Sequence, residues 1–146
     1  MTLAALYRRL SSIDLIDEVA QAMGETSDIA VQLNRDQMYA GIRSDGSEIT
    51  PKYTPLTKFL KSKEGRPFDR VTLNDTGSFY RLTFLRIVDN SYELDSRDDK
   101  TNKLKTKYGD KIFGLTTDSK VQWLPSVQSV TVRSIANKTG LFVVNE

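Results

Sequence analysis

Between residues 33 and 80, glycine, proline and short polar side chains recur so closely that no long helix or strand fits among them. Gly41, Asp45-Gly46, Pro51, Pro55, Gly65, Pro67 and Asp75-Thr76-Gly77 punctuate the stretch. Glycine accepts positive φ without steric cost, proline fixes φ and removes a donor, and Asp, Ser and Thr bond to nearby backbone. Turn and cap chemistry on this scale reads as a loop-rich surface whose shape matters more than any one reactive group. Within it, residues 47–72 are expected as an irregular arm. Thr54 followed by Pro55 can cap a short helix to about Lys63, and Gly65 and Pro67 end it. A connection this long and this poor in apolar residues is unusual inside a compact domain, and points to a functional role or to ordering by a partner.

The flanks are more regular. Leu3, Leu6, Leu10, Ile13, Ile16, Ala20 and Met23 keep helical spacing and predict one helix over 3–23, with Gly24 as its stop. Thr26, Ser27 and Asp28 offer a new N-cap, and a second helix follows with Ile29, Leu33, Gln37 and Ala40 on one stripe. Residues 78–88 alternate as a strand, with Phe79, Arg81, Thr83, Leu85 and Ile87 on one face. Asp89-Asn90-Ser91 turns it into a return strand over 92–96. Residues 98–108 suit a short helix with Leu104 and Tyr108 as its apolar points, and Ile112-Phe113-Gly114-Leu115 is a small apolar patch. Thr117-Asp118 can cap a last helix to about Lys138 with Gly140 beyond it, although Pro125 and several β-branched residues oppose it. The expectation is a single α+β domain over 1–146. Residues 1–40 are helical, 47–72 form an extended arm, 73–96 a β-hairpin and 97–146 a mixed, mainly helical end. The N-terminal helices and a C-terminal helix pack on a small antiparallel sheet.

Composition narrows the chemistry. The chain has no cysteine and no histidine, which removes disulfides, thiol nucleophiles, structural zinc and Ser-His or Cys-His catalysis. No apolar run is long enough to span a bilayer and no apolar segment follows Arg8 and Arg9 as in a signal peptide, so no membrane association is expected. The net charge of +2 is unevenly spread: residues 97–146 hold nine basic and five acidic residues, with Lys100, Lys103, Lys105, Lys107 and Lys111 close together. Such a segment can follow phosphates, although Asp98, Asp99 and Asp110 dilute its field.

Asp75-Thr76-Gly77-Ser78 spells the signature of aspartic proteases, in which two such loops face each other and share a proton. One copy requires a homodimer. The plainer reading is a turn before a strand, with Gly77 supplying the unusual φ. Asp14, Asp17 and Glu18 share a helix face without the further carboxylates of a metal site, and Asp95, Asp98 and Asp99 lack the glycine and terminal glutamate of a calcium loop. Trp123, Tyr7, Tyr39, Tyr53 and Tyr80 are scattered and read as core or interface anchors. No cofactor, metal site or catalytic residue is expected.

Gly41, Asp45, Gly46, Tyr53, Thr57, Lys58, Leu73, Thr76, Gly77 and Phe79 follow a pattern of G-x-x-x-D-G, a Tyr-Thr stretch with a lysine, and Leu-x-x-T-G before an aromatic residue. This resembles the neck and tail-completion (virion morphogenesis, head–tail connector) proteins of tailed bacteriophages. Leu-Asn-Arg-Asp-Gln-Met-Tyr-x-Gly with the later Gly-Arg-Pro-Phe-Asp is similar to versions from crAss-like phages of gut Bacteroidetes. The pattern covers about a third of the chain, and Glu48-Ile49-Thr50 stands where many relatives place a tryptophan.

The resemblance implies a structural virion protein, made in the bacterial host cytoplasm. It would form a homo-oligomeric ring of about six or twelve copies that joins portal or adaptor proteins to tail proteins around the DNA channel. Under it, Tyr53, Thr57, Lys58, Phe59, Pro67, Phe68, Phe79, Tyr80 and Phe84 are the expected subunit-interface residues. Lys100, Lys103, Lys105, Lys107 and Lys111 would contact packaged DNA without reading its sequence. The competing readings are the homodimeric Asp-Thr-Gly protease and a small non-specific DNA-binding module.

Overall fold

The computed structural model describes residues 1–141. Helices α1 (Leu3–Ser11), α2 (Leu15–Glu25) and α3 (Ser27–Tyr39) open the chain, α4 (Pro55–Lys63) lies in the middle segment, and α5 (Ser78–Arg81) is a single turn. The hairpin β1 (Thr83–Val88) and β2 (Ser91–Ser96) follows, then α6 (Thr101–Tyr108), a 3-10 turn (Asp110–Ile112) and α7 (Thr117–Thr139). Helices packed on a small antiparallel sheet make this an α+β fold, as the sequence predicts.

The single helix expected over 3–23 is two. Ser11 and Ser12 donate their hydroxyls back to the carbonyls of Tyr7 and Arg9, each at 2.8 Å, and compete with the helical ladder. Asp14 then accepts from the Ile16 and Asp17 amides at 2.9 and 3.3 Å and starts α2. The apolar spacing runs unbroken across the joint, so periodicity hides it. Gly24 does not stop α2, which continues to Glu25.

The cap expected at Thr26-Ser27-Asp28 works differently as well. The buried Thr26 hydroxyl donates to the Ala22 carbonyl at 2.8 Å and accepts from the Trp123 indole N–H at 2.8 Å. It ties the α2–α3 joint to α7 rather than capping α3. The buried stripe of α3 is Ala30, Val31, Asn34, Gln37 and Met38; Ile29 and Leu33 are half-buried and Ala40 is exposed. Two polar residues are buried there, and both donate their amide N–H groups across the core. Asn34 donates to the carbonyls of Ile112 and Gly114 at 3.2 and 3.0 Å. Gln37 donates to Gly114 at 2.9 Å and accepts from the Thr116 amide at 2.9 Å. These four bonds satisfy an apolar loop whose backbone would otherwise be buried without partners.

Residues 78–82 are not strand. Gly77, at φ 81°, turns the chain into α5, and pairing begins at Thr83 opposite Ser96 and ends at Val88 opposite Ser91. Asp89 and Asn90 take φ 49° and 59°, as a two-residue hairpin turn demands. At the C-terminal end, Thr116 caps α7 by accepting from the Ser119 amide at 3.2 Å. The helix accommodates Pro125 and stops before Gly140 at φ 77°. Of the expected 97–146 segment, residues 142–146 lie outside the described residues.

One buried cluster joins the two ends with the middle. Ala22, Ala30, Val31 and Met38 meet Phe79, Leu94, Tyr108, Ile112, Phe113, Leu115, Trp123 and Val127, and Ile49, Val71 and Leu73 join them from the arm. The arm over 47–72 is therefore a strap. Ile49, Val71 and Thr72 are each 1% exposed, so both of its stems are buried in this chain's own core. It needs no neighbour to fix its ends.

Candidate functional site

The strap is held by specific polar links. The Arg43 guanidinium donates to the carbonyls of Tyr108, at 3.2 and 3.0 Å, and Thr50, at 2.9 Å. The Ile49 amide donates to the Gly41 carbonyl at 2.8 Å. Gly41 has φ 76°, a conformation that favours glycine, and a Cβ there would stand a tight 3.1 Å from the Arg70 Cβ. On the far stem, Thr72 is fixed by two tyrosines. Its amide donates to the Tyr53 hydroxyl at 3.0 Å, and its carbonyl accepts from the Tyr80 hydroxyl. Burial pushes the Tyr80 phenol up from its ordinary range.

Between these stems α4 starts on its Thr54 cap, which accepts from the Thr57 amide at 3.2 Å, with Pro55 in the first turn. Lys61 is 7% exposed; its ammonium donates to the Asn74 carbonyl at 3.3 Å and lies 4.9 Å from the centre of the Tyr53 ring. The outer side of α4 is apolar and open: Leu56, Phe59 and Leu60 are 68, 55 and 51% exposed. Phe68, just beyond the helix, is exposed too.

Facing α4 across a cleft of about 510 Å³ is α6. The Asp75-Thr76-Gly77-Ser78 loop lines the cleft as well and joins its two walls. Asp75 accepts from Arg66 at 3.0 Å, and the Lys100 ammonium is 3.9 Å away. The Arg66 hydrogen bond holds the Asp75 carboxyl below the usual range. Ser78 donates to Asp98 at 2.5 Å, and Asp98 also accepts from the Lys100 amide at 2.8 Å at the entry to α6. Its carboxyl is depressed chiefly by the Ser78 hydroxyl. The floor is made by Leu73, Phe79, Leu104 and Tyr108, with the exposed Leu60 at the rim, and five cations line the cleft (Lys61, Arg66, Lys100, Lys103 and Lys107) against two carboxylates, Glu64 and Asp75.

The residues singled out from sequence fall into three groups. Tyr53, Thr57, Lys100, Lys103 and Lys107 meet at this cleft. Lys58, Phe59 and Phe68 are exposed on or beside α4, and Pro67 is half-buried. The third group is engaged within the chain. Phe79 is 4% exposed and packs on Phe113 with ring centres 5.6 Å apart, which corrects its placement at a subunit interface. Tyr80 is committed to Thr72, and Phe84 lies half-buried under the Arg97 guanidinium, 4.6 Å away.

The five lysines are not one strip, because Lys105 turns to Asp95 at 3.0 Å and Lys111 pairs with Asp45 at 2.9 Å. Asp45 is held far below the usual carboxylate range by the Ser47 hydroxyl and then by Lys111. Sequence reading missed Lys61, Glu64 and Arg66. Their only signal is opposite charge on Arg66 and Asp75, which nothing in the linear pattern pairs.

Asp75 is exposed, faces Arg66, and opens a helical turn rather than the strand that the protease reading expects. Among the described residues no group of three His, Cys, Asp or Glu side chains could hold a metal ion, and no helix is long and apolar enough to cross a membrane. Compared with protein-family models, curated proteins and solved structures, the chain matches none.

Proposed function

We propose that this chain is a non-catalytic structural subunit of the neck or tail-completion region of a tailed-phage virion. Copies associate into a ring between portal or adaptor proteins and tail proteins, and are made in the cytoplasm of the bacterial host. The observation that carries the reading is the outward face of α4. Leu56, Phe59 and Leu60 form an exposed apolar ridge on an element whose two stems are buried. Contiguous exposed apolar surface on a firmly held element marks a contact with another macromolecule. The motif residues behind the resemblance support the same reading. Gly41, Gly46 and Gly77 all take positive φ, at 76°, 82° and 81°, so the motif encodes the turns that pose this strap rather than a reactive group.

The expected ring contact is α4 together with Phe68. Lys105 and Lys111 are paired with carboxylates, so the five lysines do not face the DNA channel as one set. The test is complementation of particles lacking this chain. A variant with Leu56→Ser and Phe59→Ser should purify folded by circular dichroism and be missing from virions by mass spectrometry. Incorporation at the wild-type level would contradict the reading.

A further inference from the structure

The two walls of the α4–α6 cleft differ in kind. Lys100, Lys103 and Lys107 stand at helical spacing along the α6 wall. Along the helix axis they are separated by about 4.5 and about 6 Å. Among the described residues, Lys103 and Lys107 have no carboxylate within salt-bridge distance, and Lys100 has only Asp75 at 3.9 Å. On the α4 wall Lys61 is buried on the Asn74 carbonyl and Glu64 is paired with Arg66, which leaves Thr57 and Leu60 as its free surface, and the floor is apolar. An occupant that complements both walls carries acidic groups along one edge and apolar groups along the other.

An extended peptide has this form, since alternate side chains point to opposite faces and repeat every ~6.6 Å on each. Nucleic acid fits less well. The aromatic rings of the floor, Phe79 and Tyr108, are 4 and 5% exposed and offer no face for base stacking.

We propose that this cleft docks a short acidic segment of a partner protein. Its carboxylates sit on Lys100, Lys103 and Lys107, and its apolar side chains on Leu60 and Leu104. The proposal deepens the assembly reading and rests on it only for the partner being a protein.

The test is fluorescence anisotropy on the intact chain with a labelled peptide alternating glutamate and leucine. The peptide should bind, and its counterpart with glutamine for glutamate should bind more than about tenfold more weakly. Lys103→Glu combined with Lys107→Glu should cost a similar factor, whereas Lys120→Glu on α7, away from the cleft, should leave affinity unchanged. Both cleft lysines are exposed, so the double variant keeps the fold. No binding of the glutamate peptide, equal binding of the glutamine peptide, unchanged affinity of the double variant, or displacement by oligothymidylate would each overturn the assignment. The two proposals fail separately. A chain that enters virions but binds no peptide loses only the cleft assignment, and a chain that binds peptide but is missing from virions loses only the assembly reading.

Discussion

The α2–α3–α7 body and the α4 strap are joined to the same core by opposite means. The body is held by apolar side chains at helical spacing, with Trp123 at its centre: it is 4% exposed, meets the Tyr92 ring edge-on at 5.2 Å and bonds to Thr26. The strap contributes few apolar residues and is fixed by polar bonds, such as Arg43, itself held on the Tyr108 carbonyl, to Thr50, and Thr72 to Tyr53. A segment poor in apolar residues is therefore not a loose one. It can be fixed at its stems while its outer face stays free.

Breaking the body should have the largest effect. Trp123→Ala removes a buried aromatic and the indole bond to Thr26, and should lower unfolding free energy by about 3–5 kcal/mol in urea titration. In the strap, Tyr53→Phe leaves the Thr72 amide buried without its acceptor. It should cost about 1–3 kcal/mol and speed amide exchange at residues 71–74 more than in α7.

The third effect is the body's own share of a pH dependence to which Asp45, Asp75 and Asp98, whose carboxyls are also held low, contribute elsewhere. Glu18 is 4% exposed, and bonds from Lys138 and then Ser134 hold its carboxyl below the usual glutamate range. A depressed folded-state pKa stabilises the fold above the unfolded value, and that contribution is lost as pH falls through the folded one. Thermal melts should therefore decline on the acid side, and Glu18→Gln should flatten that decline while leaving the strap's exchange pattern unchanged. The smallest change is expected from Asp75→Asn. It breaks an exposed pair with Arg66 and should cost at most about 1 kcal/mol in the same urea titration. A loss several times larger would make the Asp75 loop a main anchor of the strap.

The same contrast explains what was legible in the sequence. α4 with its Thr54 cap, the hairpin turn at Asp89-Asn90, and a last helix ending at Gly140 follow from local chemistry and the sequence predicts each, although the α7 cap is Thr116 rather than Thr117-Asp118. The break at Ser12–Asp14 was hidden because apolar spacing continues through it. The α3 stripe holds Gln37 as the sequence expects but shifts onto Asn34, which is buried on bonds to Ile112 and Gly114, and no local rule anticipates partners that distant. Alternation at 78–82 suits a strand and the helical turn after Gly77 equally, so the linear pattern does not separate α5 from β1. In the candidate site, α6 was predicted as a helix with Leu104 and Tyr108 apolar, so its lysine face was in view. The opposite wall was not, because it depends on the strap folding back across the molecule.

The central claim is that the strap is fixed in the chain itself and that the outer face of α4 is completed by a neighbour. Hydrogen–deuterium exchange on the purified chain, and on the chain within intact particles, tests both parts. The account predicts protection at Ile49 and Thr72 already in the isolated chain, and added protection over 55–63 only in the particle. Unprotected stems in the isolated chain, or α4 exchanging equally in both states, would contradict it.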